Sequence, residues 1–103
     1  MARKIIVRRK KTRLVAEKAV FSVYIDGERA FSIDNGQAKE VEVSEEEHTI
    51  QVINDTSLDK VTGEMTKDTQ YTDVQTIPAG TEDYDFLMEL KPLSRRTIRL
   101  SKR

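Results

Sequence analysis

Apolar and polar residues alternate along most of the chain, and period-two alternation is the pattern of a half-buried β-strand. Phe21, Val23 and Ile25 recur at every second position and lead into Asp26-Gly27, a dipeptide suited to the positive φ angles of a two-residue hairpin turn. Phe31 and Ile33 face inward on the strand that follows. Asp34-Asn35-Gly36 again offers residue types that tolerate left-handed backbone, and beyond it Val41 and Val43 alternate with Glu40 and Glu42. The spacing predicts a three-strand meander.

Further along, Glu45-Glu46-Glu47 reads as a turn or strand start, and Ile50 and Val52 alternate with Thr49 and Gln51 until Asn54-Asp55. Residues 54–70 are polar and Thr-rich, a long, mobile loop with a short hairpin around Gly63. Tyr71 to Ile77 is rich in β-formers and stops at Pro78-Ala79-Gly80. Tyr84, Phe86, Met88 and Leu90 form an alternating strand stopped by Pro92, and Ile98 and Leu100 form a last short one. Helical periodicity is confined to a short candidate at Thr12 to Lys18. With Lys4 to Arg8 counted, seven or eight short strands separated by turn signals predict an all-β, single-domain antiparallel β-sandwich over residues 1–103, with a partly closed barrel as the alternative. Its expected core is Phe21, Val23, Ile25, Phe31, Ile33, Val41, Val43, Ile50, Val52, Phe86, Met88 and Leu90.

Charge changes this picture more than composition does. The chain has 103 residues and a formal net charge of zero. Yet residues 1–18 hold eight Lys and Arg against Glu17, residues 91–103 hold six with no acid, and the centre is correspondingly acidic. The absence of cysteine removes disulfide frameworks, thiolate zinc sites and thiol nucleophiles. Ile5-Ile6-Val7 is much shorter than the roughly 7 to 15 apolar residues of a signal peptide. No run approaches the roughly 18 of a membrane span, so a cytoplasmic protein without a membrane span is expected.

The stretch Val20 to Val52 reads V-F-S-V-Y-I-D-G-E-R-A-F-S-I-D-N-G-Q-A-K-E-V-E-V-S-E-E-E-H-T-I-Q-V. It resembles the small bacterial β-sandwich modules of the PEGA type: a strand ending in a D-G turn, a short strand, a second Gly turn, an alternating strand, and a G-x-H-x-I-x-V close, of which this chain keeps H-T-I-Q-V with Glu in place of the Gly. The resemblance implies a non-enzymatic sandwich that presents a ligand or partner surface, and it carries over no functional residue.

Candidate chemistry is sparse. His48 is the only histidine, so acid–base, nucleophilic or metal chemistry must centre on it. Its parity with Ile50 and Val52 predicts a partly buried, hydrogen-bonded structural residue. Glu45 to Glu47 and the pair Asp83 and Asp85 match no calcium loop and read as solvated turn acids. Asn54-Asp55-Thr56 matches a glycosylation acceptor by chance. Neither G-x-x-x-x-G-K nor G-x-G-x-x-G occurs, which disfavours nucleotide hydrolysis, and no catalytic residue, metal site or cofactor is expected. Tyr24 falls on the parity opposite Phe21, Val23 and Ile25 and is the one expected exposed aromatic.

Two readings of the basic ends follow. They protect edge strands and pair with the acidic centre, or they gather into an anion-binding face for nucleic acid. The residues expected to form such an anion or partner surface are Arg8, Arg9, Lys10, Lys11, Tyr24, Arg95, Arg96 and Arg99. A protein-interaction module presenting Tyr24 beside the basic strands is the first expectation, and binding of nucleic acid or an anionic surface is the alternative. Homodimerisation through an edge strand is compatible with either.

Overall fold

A computed structural model describes residues 2–11, 20–67, 69–90 and 98–102, with main chain only for Leu90, Ile98 and Arg99. The helical candidate at 12–18 therefore lies outside the described residues. Among the described residues there are eight strands: β1 (Arg3–Arg9), β2 (Phe21–Ile25), β3 (Glu28–Ile33), β4 (Ala38–Val43), β5 (His48–Asn54), β6 (Gln75–Ile77), β7 (Tyr84–Leu90) and β8 (Ile98–Lys102). They form two four-stranded sheets, ordered β4-β1-β7-β8 and β3-β2-β5-β6, and neither closes into a barrel. The all-β sandwich expected from the alternation is what the chain forms.

The core lies between the sheets. Ile5, Val7, Phe86, Met88 and Leu100 come from the first sheet and Phe21, Val23, Ile33, Ile50, Val52 and Ile77 from the second, all buried in one cluster. Burying each such side chain contributes about 1.5 to 3 kcal/mol. Ile25, Phe31, Val41 and Val43 pack against it only partly buried, and the side chain of Leu90 lies outside the described residues.

Two expectations about pairing are corrected. β2 and β3 form the predicted hairpin, with Asp26 at φ 54° and Gly27 at φ 80°, but β4 does not continue a meander. The turn at Asp34, closed by the Gln37 N–H to Asp34 O bond at 2.9 Å, carries the chain to the other sheet, where β4 pairs with β1. The acidic β4 thereby meets the basic β1, with Lys4 opposite Glu42 and its ammonium 3.6 Å from Glu40. The sandwich is also not wholly antiparallel, because β1 and β7 run parallel, Ile5 opposite Tyr84 and Val7 opposite Phe86. The long excursion through the second sheet supplies the crossover that parallel neighbours need.

β3 contains a bulge. Val23 faces Phe31, while Tyr24 faces Arg29, leaving Ala30 as the extra residue. Strict alternation would place Arg29 on the core side with Phe31 and Ile33; the inserted residue turns it to the outer face beside Tyr24.

The 54–70 loop is tied along its length. A 3₁₀ turn at Asp55–Ser57 is capped by the side chain of Asn54, which accepts from Thr56 N–H at 3.1 Å. Asn54 N–H donates to Gln70 O and Thr72 N–H to Val52 O, both at 2.9 Å. The tip turns tightly at Gly63, φ 71°, whose N–H donates to Asp59 O at 2.8 Å. These bonds fold the loop over the outer face of the second sheet.

Candidate functional site

Period-two alternation sends every second residue of β2 and β5 to the outer face of the second sheet. These are Ser22 and Tyr24 on β2, and Thr49, Gln51 and Ile53 on β5. Ile53 is 6% exposed although it points away from the sandwich core, because the 54–74 segment covers it. Between sheet and segment lies a groove of about 480 Å³ lined by Tyr24, Thr49, Gln51, Ile53, Leu58, Met65 and Val74, with Gly27, Gly63 and Glu64 completing it. Met65 and Val74 remain 47% and 59% exposed, and Val61 at the loop tip 94%. Apolar surface is therefore left open along the groove and at the tip of its wall.

A polar cluster fixes one wall. The Ser22 hydroxyl donates to Asp55, and the Tyr24 hydroxyl donates to Asp55 Oδ1 at 3.2 Å. Arg29, turned outward by the bulge, donates from Nε to Ser22 Oγ at 3.1 Å and holds Nη2 3.6 Å from Asp55 Oδ2. Burial, together with the negative charge of Asp55 and the hydrogen bond to it, raises the Tyr24 pKa above the ordinary phenol value, with Arg29 opposing. Tyr24 is thus half-buried, its hydroxyl is engaged, and its ring lines the groove.

The basic residues expected beside Tyr24 are elsewhere. Arg8 points outward from the first sheet and pairs with Asp85 at 3.2 Å, and Lys10 reaches Glu89 at 3.6 Å. Arg9 points inward, 3% exposed, with Nη1 donating to Ile33 O at 3.0 Å and its guanidinium 4.5 Å from the centroid of the Phe21 ring. Desolvation lowers its pKa from the ordinary value, and Asp34 pulls it back. Lys11 is exposed, its side chain against Gly36. Arg95, Arg96 and the side chain of Arg99 lie outside the described residues. The structure therefore does not bring Tyr24 together with Arg8, Arg9 or Lys10: Tyr24 and Arg8 occupy outer faces of opposite sheets, and Arg9 is inside.

His48 is held as the parity of β5 leads one to expect. Its side chain is 11% exposed, its Nδ1 donates to Asp26 Oδ2 at 2.7 Å, and its Nε2 lies 3.1 Å from both Ser44 Oγ and Ser44 O. Serine, histidine and aspartate thus fall in the order of a hydrolytic triad, but Nε2 also faces a carbonyl oxygen. Nε2 is therefore shared between the hydroxyl and the carbonyl of one residue, and is not aimed at the hydroxyl alone as a triad requires. Asp26 also accepts from Thr49 N–H at 3.0 Å, and these two hydrogen bonds, the histidine's first, hold its carboxyl below the ordinary value.

Two of the remaining acidic candidates are engaged structurally. Asp83 accepts the Lys4 N–H at 2.8 Å, and Asp85 pairs with Arg8. Among the described residues no three His, Asp or Glu side chains are grouped to hold a metal ion. Asn54 is 5% exposed and bonded to Gln70 and Thr56, which makes it a structural cap. No described helix is long and apolar enough to cross a membrane.

The fold is thus a two-layer β-sandwich with a loop-walled groove on one outer face. No family model matches the chain, nor does any curated protein or solved structure.

Proposed function

We propose that the chain is a non-enzymatic protein-interaction module, and that it binds an extended segment of a partner protein in the groove over β2 and β5. The groove itself carries this reading: it combines a half-buried tyrosine floor, exposed Met65 and Val74, and a wall fixed by the Asp55 cluster. Aromatic and methionine side chains in a concave, apolar cleft are the usual anchors of peptide recognition. Charge selects the partner. Glu64 is the charged residue among those that line the groove, so the favoured segment bears an apolar side chain flanked by Lys or Arg. The PEGA-type layout of residues 20–52 agrees with a partner-presenting sandwich.

Dispersal of Arg8, Arg9 and Lys10 over an ion-paired outer face and the core interior favours this reading over nucleic-acid binding. Selection of a random peptide library against the intact chain, counter-selected with Val74→Glu, tests it. Enrichment of apolar–basic peptides that bind the native chain and lose at least about tenfold in affinity to Val74→Glu is expected. Absence of enrichment, or binding indifferent to Val74→Glu, overturns it.

A further inference from the structure

Arg3 is the first inward-facing residue of β1 and is 2% exposed. Three main-chain carbonyls fix its guanidinium: Nε donates to Ser44 O at 3.2 Å, and Nη2 donates to Glu46 O and Pro78 O at 2.8 Å each. Nη1 has no hydrogen-bond partner among the described residues, although it is closed to water. The ring of Tyr84 lies 5.9 Å from the guanidinium carbon, near the limit of useful cation–π attraction. A rigidly held cation thus meets neutral acceptors on two nitrogens and none on the third. Buried donors in folded proteins are paired in the great majority of cases, so an orphan just behind the wall of a cavity points to an acceptor that the wall must shift to admit.

That cavity has a volume of about 360 Å³ and is lined by Arg3, Tyr84 and the turn from Pro78 to Glu82. Within the turn Gly80 stands beside the orphan, since a Cβ built on it would lie 3.9 Å from Nη1. The turn is tethered by Gly80 N–H to Glu45 O at 2.8 Å, and its far end by Lys4 N–H to Asp83 at 2.8 Å. Lys102, with its ammonium 4.3 Å from the centroid of the Tyr84 ring, adds a second cation next to that ring.

We propose that this cavity binds a carboxylate, one oxygen of which accepts from Nη1 of Arg3. The Thr81 hydroxyl on the cavity wall is a second donor. A monoanion suits the site better than phosphate because Glu82 also lines it and opposes accumulated negative charge. The carboxylate belongs to a free organic acid, an acidic side chain or a chain terminus, which share this chemistry. Because Nη1 is closed to water, entry displaces Gly80 from Glu45 O, so binding reports on the turn itself.

Amide chemical shifts of the intact ¹⁵N-labelled chain, followed by NMR during titration, test this. The ligands are acetate, a neutral peptide with a free C-terminus, an amidated peptide with one internal aspartate, and inorganic phosphate. Saturable shifts at Ala79, Gly80, Thr81 and Glu82 with acetate are expected, with Kd on the order of 10 mM. Whichever peptide reproduces them identifies the source. Glu82→Gln should tighten acetate by about threefold. Arg3→Lys should lose the shifts, and Gly80→Val, at a position without positive φ, should lose them with thermal unfolding unchanged. No saturable shift with any carboxylate, a response to phosphate alone, or binding that persists in Gly80→Val overturns the proposal. So does a Glu82→Gln variant that is less stable yet binds acetate no better, since Glu82 would then be the acceptor Arg3 lacks.

Discussion

The guanidinium of Arg9 lies 4.5 Å from the ring centroid of Phe21, with Nη1 bonded to Ile33 O at 3.0 Å, so an arginine closes one end of an apolar core. Its aliphatic stem buries apolar surface while its head satisfies a carbonyl at the sheet end. Arg9→Ala should therefore cost about 2 kcal/mol, through lost packing and the orphaned carbonyl together. Arg9→Met restores the stem alone and should recover about half. Urea denaturation of both variants checks this, and equal losses would mean that the stem contributes nothing.

The His48–Asp26 contact gives stability a dependence on acid pH. The folded-state carboxyl of Asp26 lies below its ordinary value, so its contribution is present above about pH 4 and is lost as pH falls through the depressed value. The Asp26 side chain is 51% exposed, and screening limits the effect to about 1 kcal/mol or less. Asn accepts the φ of 54° at this position, so Asp26→Asn isolates the charge. The variant should be less stable at pH 7 and converge on the native chain near pH 2 in parallel thermal melts. A constant gap across that range would assign the effect to shape instead.

How far the sequence foretold this arrangement depends on whether the deciding contact is local. The Asp26-Gly27 hairpin was legible because a two-residue turn with positive φ admits few residue types. Tyr24 was legible as outward-facing by parity, but its covering was not, since the groove depends on a loop about 30 residues further along. The outward Arg29 was hidden because a bulge reverses parity without a local signature strong enough to locate it. Transfer of β4 to the other sheet was equally hidden: Asp34-Asn35-Gly36 fits a hairpin as well as a crossing. Arg3 and Arg9 did leave a signal, since they share the parity of Ile5 and Val7, and charge alone set Arg9 among the expected surface residues. The opposition of the basic N-terminal segment to the acidic centre, by contrast, was realised directly, by Lys4 and Arg8 of β1 and by Lys10 just beyond it, against β4 and β7.

Gly27 sits at φ 80° with nothing within 4 Å of a built Cβ. Gly27→Ala therefore meets no steric obstacle and isolates the backbone cost of a left-handed conformation. A loss of about 1 kcal/mol is expected from chemical denaturation. A neutral outcome would show that the hairpin adjusts to another turn type.

The Asp55 cluster decides whether the groove keeps its wall. Ser22 is fully buried and donates to Asp55, which also accepts from Tyr24. Removing the carboxylate strips two donors of their acceptor, and unpaired buried groups cost more than the bond itself contributed. Asp55→Ala should therefore cost about 2 to 3 kcal/mol and Ser22→Ala about 1 kcal/mol. In the double variant the serine no longer needs a partner, so the combined loss should fall short of additivity by about 1 kcal/mol. The Arg29 pair contributes little to this, because its side chain is 55% exposed. Denaturation of the four proteins of this cycle measures the coupling. Additive losses would place Ser22 and Asp55 in separate interactions, and the wall beside Tyr24 would then rest on the backbone ties of the loop alone.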